Sequence, residues 1–226
     1  MSAPKIEHIE DFTAHDWCNK LLSDPLITHI SKRHIPERRE GVSNTFFTHT
    51  LFTDGAIRAF LSLYRPGKGQ RRDVNEDTIF TGAAPLHEEP APRNREREAK
   101  RQAAKEDKTY DPNDPDTPEA LMLISVGNDI DGGIRRLHGG VTASLLDQVM
   151  GTLLSYHFEN TSATSELTIK YKKAVNTPCI LLCRAQLVKE KGRWVETVGT
   201  IEDGHGTVFA EGIGAFVIGK VTAAKI

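Results

Sequence analysis

The chain has 226 residues, 38% hydrophobic and 27% charged, enough to bury one sizeable core, so one folded domain with an extra segment is expected. A formal net charge of -2 and a pI near 6.5 leave no global basic field, which argues against a nucleic-acid partner. The three cysteines, Cys18, Cys179 and Cys183, form no CxxC pair and stand at no zinc-ligand spacing with histidine, so a reduced, metal-free, intracellular protein is expected.

Met1 to Asp11 is polar and acidic, unlike a signal or transit peptide, and no apolar run approaches membrane-spanning length. The expectation is a cytoplasmic protein without a membrane span. The alternative is peroxisomal, because Ala224-Lys225-Ile226 has the small-basic-aliphatic form of that C-terminal address.

From His15 to Lys32, the spacing of Trp17, Leu21, Leu22, Leu26, Ile27 and Ile30 predicts helix, broken by Pro25 into two short pieces. Thr45 to Leu51 and Ala56 to Tyr64 are rich in aromatic and β-branched residues, and Asp54-Gly55 between them predicts a hairpin. Arg65 to Thr117 carries several prolines, the charged run Arg93 to Lys108 and the stretch Asp111 to Asp116. It is too polar to offset its ordering entropy and is expected to be a mostly mobile insertion.

Glu119 to Val126 reads as a strand. From Leu137 to Phe158, apolar residues at Val141, Leu145, Leu146, Val149, Met150, Leu153 and Leu154 mark one long, largely buried helix. Four strand-like runs follow, Glu166 to Ala174, Cys179 to Lys189, Trp194 to Asp203 and Thr207 to Ile218. Their turns are short and glycine-bearing, which favours antiparallel neighbours. Six or seven strands and one apolar helix can bury that helix by wrapping the sheet around it, an α+β arrangement. The division is an N-terminal helical segment, residues 1–40, and a domain over 41–226 carrying the insertion at 65–117.

His138-Gly139-Gly140 stands where loop becomes helix, so the free N–H groups of the first turn and the helix dipole favour negative charge there. Such donors would stabilise a carbonyl oxygen that gains charge, by about 3 to 4 kcal/mol per donor in other enzymes. The competing explanation is that the two glycines only permit a tight helix start packed on the sheet. Asp147 lies in an otherwise apolar stretch, where an unpaired carboxylate is costly, so it is a functional candidate. Alternatively it faces solvent with Gln148, Thr152 and Ser155.

Gly139 and Asp147 are separated by about 12 Å of helix rise. If both serve one carbonyl, the site combines the helix start of one subunit with Asp147 of another, which requires at least a two-fold dimer. A Ser-His-Asp hydrolase fails because His138 and Ser144 point to nearly opposite sides of the helix and GxSxG is absent. Arg135 and Arg136, with Lys170, Lys172 and Lys173, form the best local basic group for a phosphorylated ligand. Solvated strand-end lysines are the plainer explanation.

Leu137-His138-Gly139-Gly140-Val141-Thr142-Ala143-Ser144-Leu145-Leu146-Asp147, followed by Gly151, resembles the signature of hotdog-fold acyl-CoA thioesterases of the phenylacetate-pathway and 4-hydroxybenzoyl-CoA types. The likeness extends more loosely from Glu119 to Gly219, about half of the chain. It implies a hotdog fold, an antiparallel sheet of about six strands wrapped around a central helix, with the acyl-CoA thioester held between subunits of a homodimer or homotetramer. It also implies that Asp147 activates water or attacks the thioester, that Gly139 donates its N–H to the thioester oxygen, that His138 sets the loop, and that Thr164 helps hold the attacking water. Gly140 and the basic residues would bind substrate, with coenzyme A part of the substrate and no metal or other cofactor.

Two features depart from the pattern. Many members have Asn or Gln a few residues before the His-Gly-Gly, where this chain has Asp131-Gly132-Gly133-Ile134-Arg135-Arg136, with Asn128 the nearest amide upstream. The 65–117 insertion is the other. A dimer that binds acyl-CoA or a protein partner without hydrolysis is therefore an alternative, and a hotdog dehydratase is a third reading.

Overall fold

The computed structural model describes residues 6–33, 44–72, 107–158 and 161–219. In chain order the elements are helices α1 (Glu10–Thr13) and α2 (Asp16–Leu22), strand β1 (His29–Lys32), a π-helical turn (Phe46–Thr50), β2 (Ile57–Arg65), β3 (Lys108–Thr109), β4 (Glu119–Val126), β5 (Asp131–Gly133), β6 (Arg136–Leu137), helix α3 (Gly139–Phe158), β7 (Ser162–Tyr171), β8 (Cys179–Lys191), β9 (Trp194–Glu202) and β10 (Val208–Ile218). An antiparallel sheet runs in the order β1-β2-β4-β8-β9-β10-β7, with β3 added onto β8, while β5 and β6 form a separate hairpin. This is the hotdog arrangement, an α+β fold in which the sheet wraps one helix.

The inner core follows from the helical period. Leu145, Leu146, Val149, Met150, Leu153 and Leu154 are fully buried on α3 and pack on inward residues of the sheet, among them Ile57, Phe60, Met122, Ile124, Leu181, Cys183, Val195 and Phe216. The helix can lie close because β10 presents Gly212 beneath it. A Cβ there would stand 3.2 Å from both Leu146 Cδ1 and Met150 Cε, tighter than packed side chains accept without shifting.

A second core lies on the outer face. Phe12, Cys18, Leu22 and Ile27 from the N-terminal segment cover Ala59, Leu61, Leu63, Leu121, Leu123 and Leu182. All eight residues of β4 are consequently buried, which accounts for its continuous apolar run in place of alternation. Asp11 fastens the segment by accepting from Ser125 Oγ at 2.5 Å and from Arg58 Nε at 3.0 Å.

Two expected elements differ. The second half of His15 to Lys32 is not helix: Asp24 Oδ1 accepts the Leu26 N–H after α2, and from Thr28, whose N–H donates to Tyr64 O, the chain pairs with β2. Proline ended the helix as expected, and the Ile-Thr-His-Ile run that follows suits a pleated edge. Thr45 to Leu51 is not a strand either. Leu51 N–H bonds Phe46 O and Thr48 Oγ1 bonds Asn44 O, which winds the segment into a turn that buries Phe47.

Asp54-Gly55 therefore joins no hairpin. The close approach here requires glycine at 127: Gly127 and Asp129 donate to Ala56 O and Gly55 O, and a Cβ at 127 would lie 2.3 Å from the Gly55 carbonyl oxygen.

The ends of the 65–117 stretch are docked. Lys108–Thr109 pairs with β8, Thr117 Oγ1 donates to Asp111 O at 2.6 Å, and Arg72 N–H donates to Pro25 O. Its interior, 73–106, lies outside the described residues, as do Ala224-Lys225-Ile226. None of the described helices is long and apolar enough to cross a membrane.

Far from the start of α3, near its last residues, Glu190 is buried and accepts from Tyr110 Oη and from His157 Nε2 at 3.2 Å. Burial opposes its ionisation, yet the hydrogen bonds from His157 and Tyr110 outweigh it and hold the carboxyl below its ordinary 4.5. A depressed carboxyl stabilises the fold above its unfolded value, and that contribution is lost as pH falls through the folded one. Glu190→Gln is expected to destabilise by about 1 to 3 kcal/mol at pH 7, with the gap to wild type closing as pH drops below about 4.5. Urea unfolding at the two pH values checks this; an equal gap at both would contradict it.

Candidate active site

The site candidates gather along the face of α3 that looks toward β7. Asp147 is half-buried on that face, and Thr164 of β7 donates its hydroxyl to Asp147 Oδ1 at 2.7 Å. The two residues, 17 apart in sequence, meet because β7 runs back along the helix. Asp147 is thus neither sealed in the core nor on the outer helix face. Its second carboxylate oxygen has no hydrogen-bond partner among the described residues.

At the helix start the first-turn donors are largely consumed. Val141 and Thr142 N–H groups both donate to His138 O, at 2.9 and 3.1 Å, and Gly140 N–H donates to His138 Nδ1 at 2.9 Å. His138 therefore caps the helix, with Nδ1 as the acceptor, and Gly140 N–H is not free for substrate. Gly139 N–H alone of these four has no partner among the described residues. It is also the N–H of a peptide whose carbonyl already takes two backbone donors and, at 3.4 Å, the Thr142 hydroxyl, an arrangement that polarises it outward.

The basic residues are brought to the same end. The β5–β6 hairpin turns through Ile134 and Arg135, the latter at φ 50, and Arg136 bridges to Asn176 while Leu137 N–H donates to Val175 O. This sets Arg135 and Arg136 beside the end of β7, where Lys170, Lys172 and Lys173 are exposed. Lys172 is already paired with Glu211 at 2.9 Å, so Arg135, Arg136, Lys170 and Lys173 are the better cations for a phosphate.

The departure before the His-Gly-Gly has a structural use. Asp131 Oδ1 accepts the Thr177 hydroxyl at 2.5 Å, tying the hairpin to the segment after β7, and Asn128 lies exposed in the preceding turn with its carbonyl on Asp131 N–H. Sequence reasoning also did not single out Tyr171, whose hydroxyl donates to Gly139 O at 2.9 Å; a strand-end tyrosine has no signature until the strand is placed against the helix. Among the described residues, no group of three or more His, Cys, Asp or Glu is placed to hold a metal ion.

Residues 135–210 match the thioesterase superfamily. This stretch runs from the hairpin before α3 into β10. No curated protein matches the chain.

Among solved structures, a thioesterase superfamily protein is 26% identical over 44% of this chain and 51% of its own, with a TM-score of 0.42; this chain thus spans about half of that protein. A Bacillus halodurans protein solved with CoA is 27% identical over 43% of this chain and 66% of its own, TM-score 0.40. A Streptococcus mutans protein bound to acetyl CoA is 19% identical over 45% and 81%, TM-score 0.42.

Proposed function

We propose that the protein hydrolyses an acyl-CoA thioester to the free acid and CoA. The observation that carries the reading is the hydroxyl-held carboxylate: Asp147, kept in place by Thr164 at 2.7 Å, has an oxygen left over to take a proton from water or to attack the thioester carbon. Gly139 N–H is the donor for the thioester oxygen, and the arginines and lysines beside the helix start meet the phosphates of CoA. The match of residues 135–210 to the thioesterase superfamily supports this reaction class.

Because about 12 Å of helix rise separates Gly139 from Asp147, each site takes Gly139 from one subunit and Asp147 from its partner. The edge strand β7 supports such a dimer. Ten residues long and with no proline, it ends the sheet and is exposed at most positions. The exposed apolar side chains Tyr171 and Ile213 lie on it and on its neighbour β10. An open edge of that length is a surface for a second copy.

Thiol release from short, long and aromatic acyl-CoAs tests the proposal and names the substrate class. The stretch directly before His138 has no amide closer than Asn128, and Asp131 there is engaged by Thr177, which favours the second reading, a dimer that binds acyl-CoA without cleaving it. Binding without thiol release from any member of the panel would establish that reading instead.

A further inference from the structure

We infer that Tyr171 is a positioning residue for the thioester, acting through the backbone of Gly139. The inference rests on Gly139 N–H being the donor to the thioester oxygen. Two consecutive glycines carry more backbone freedom than any other pair, and the first turn of a helix lacks the internal hydrogen bonds that hold the rest. A donor that acts on charge developing in a transition state must nonetheless be fixed before the reaction, since reorganisation would offset the gain. The sequence alone puts a loose backbone where a rigid one is needed.

The structure supplies the missing rigidity from outside the helix. The peptide between Gly139 and Gly140 is held at both ends: its carbonyl accepts from Tyr171 Oη at 2.9 Å, and its N–H donates to His138 Nδ1 at 2.9 Å. The preceding peptide is held at its carbonyl by Val141, Thr142 and the Thr142 hydroxyl. Every polar group around Gly139 is thereby engaged except its own N–H. The Tyr171 ring also lies against the glycine, within 3.6 Å of where a Cβ would stand.

Tyr171 closes the strand that carries Thr164. One strand therefore sets both catalytic elements of α3, Asp147 through the Thr164 hydroxyl and Gly139 through the Tyr171 hydroxyl.

Tyr171→Phe removes one hydroxyl and keeps the ring. The expected result is a kcat lower by about 10-fold, the cost of one neutral hydrogen bond, with KM within two-fold of wild type and the dimer fraction in sedimentation unchanged. In ¹⁵N relaxation of the ligand-free protein, the Gly139 amide becomes more mobile while amides in the middle of α3 do not, a readout that a general loss of stability would not reproduce.

Wild-type kcat in Tyr171→Phe, or a Gly139 amide as ordered as before, overturns the inference while leaving hydrolysis by Asp147 in place. Failure of the wild type to cleave any acyl-CoA overturns the proposed function and this inference together.

Discussion

Asp147→Asn is expected to lower kcat by about 10²- to 10⁴-fold, the range that loss of a general base or an equivalent carboxylate produces. The change is nearly isosteric. The amide oxygen can still accept the Thr164 hydroxyl that Asp147 Oδ1 now accepts at 2.7 Å, so the contact between α3 and β7 survives. What disappears is the negative charge and the capacity to take a proton or form a covalent link. Circular dichroism and the unfolding midpoint should match wild type while thiol release collapses. Turnover near the wild-type rate would remove Asp147 from the chemistry, and a parallel loss of fold would make the activity uninformative, in which case Asp147→Ser offers a smaller side chain at the same half-buried position.

Gly139→Pro is expected to cost about 10²- to 10³-fold in kcat, the effect of deleting one oxyanion donor, with little loss of stability. The first helical position is where proline is best tolerated, because its N–H has no partner inside the helix and the fixed φ suits the turn. Gly139 satisfies both conditions: it opens α3, and its N–H is the one first-turn donor with no partner among the described residues. The nearest atoms to a Cβ at this position belong to the Tyr171 side chain at 3.6 Å, ordinary contact.

Gly139→Ala, which keeps the N–H, is the control and should retain most activity. Equal rates for the proline and alanine variants would show that the N–H does not bind the thioester oxygen.

Together the two substitutions bear on the dimer. Both residues sit on one helix about 12 Å apart along its axis, so two inactive single variants mixed as subunits should regain activity in the hybrid dimer. One of its two sites then has an intact Gly139 and an intact Asp147.

Much of the domain was legible without coordinates, because a single helix with a strong 3.6-residue apolar period and a series of short strands with glycine turns leaves little choice of architecture. The helix expected from Leu137 to Phe158 runs from Gly139 to Phe158, and the strand expected from Glu119 to Val126 has those bounds. Legibility failed where local pattern and tertiary context disagree. Thr45 to Leu51 has the composition of a strand, yet its backbone bonds within the segment, Leu51 N–H to Phe46 O, and it coils to bury Phe47 instead. The run through Ile27 and Ile30 has helical spacing, yet β2 offered it an unpaired edge.

The sequence by itself determined the long helix, the main strands along the chain, the glycine pair at the helix start and the carboxylate eight residues later, since each depends on periodicity or on residues close together in the chain. Only the tertiary structure decided that Thr164 holds Asp147, that Tyr171 reaches Gly139, and that the N-terminal segment covers the outer face of the sheet. The bonds of Thr164 to Asp147, Tyr171 to Gly139 and Ser125 to Asp11 join residues 17, 32 and 114 positions apart, and hydrogen bonds over such distances are set by how the elements lie against one another, which no local pattern records.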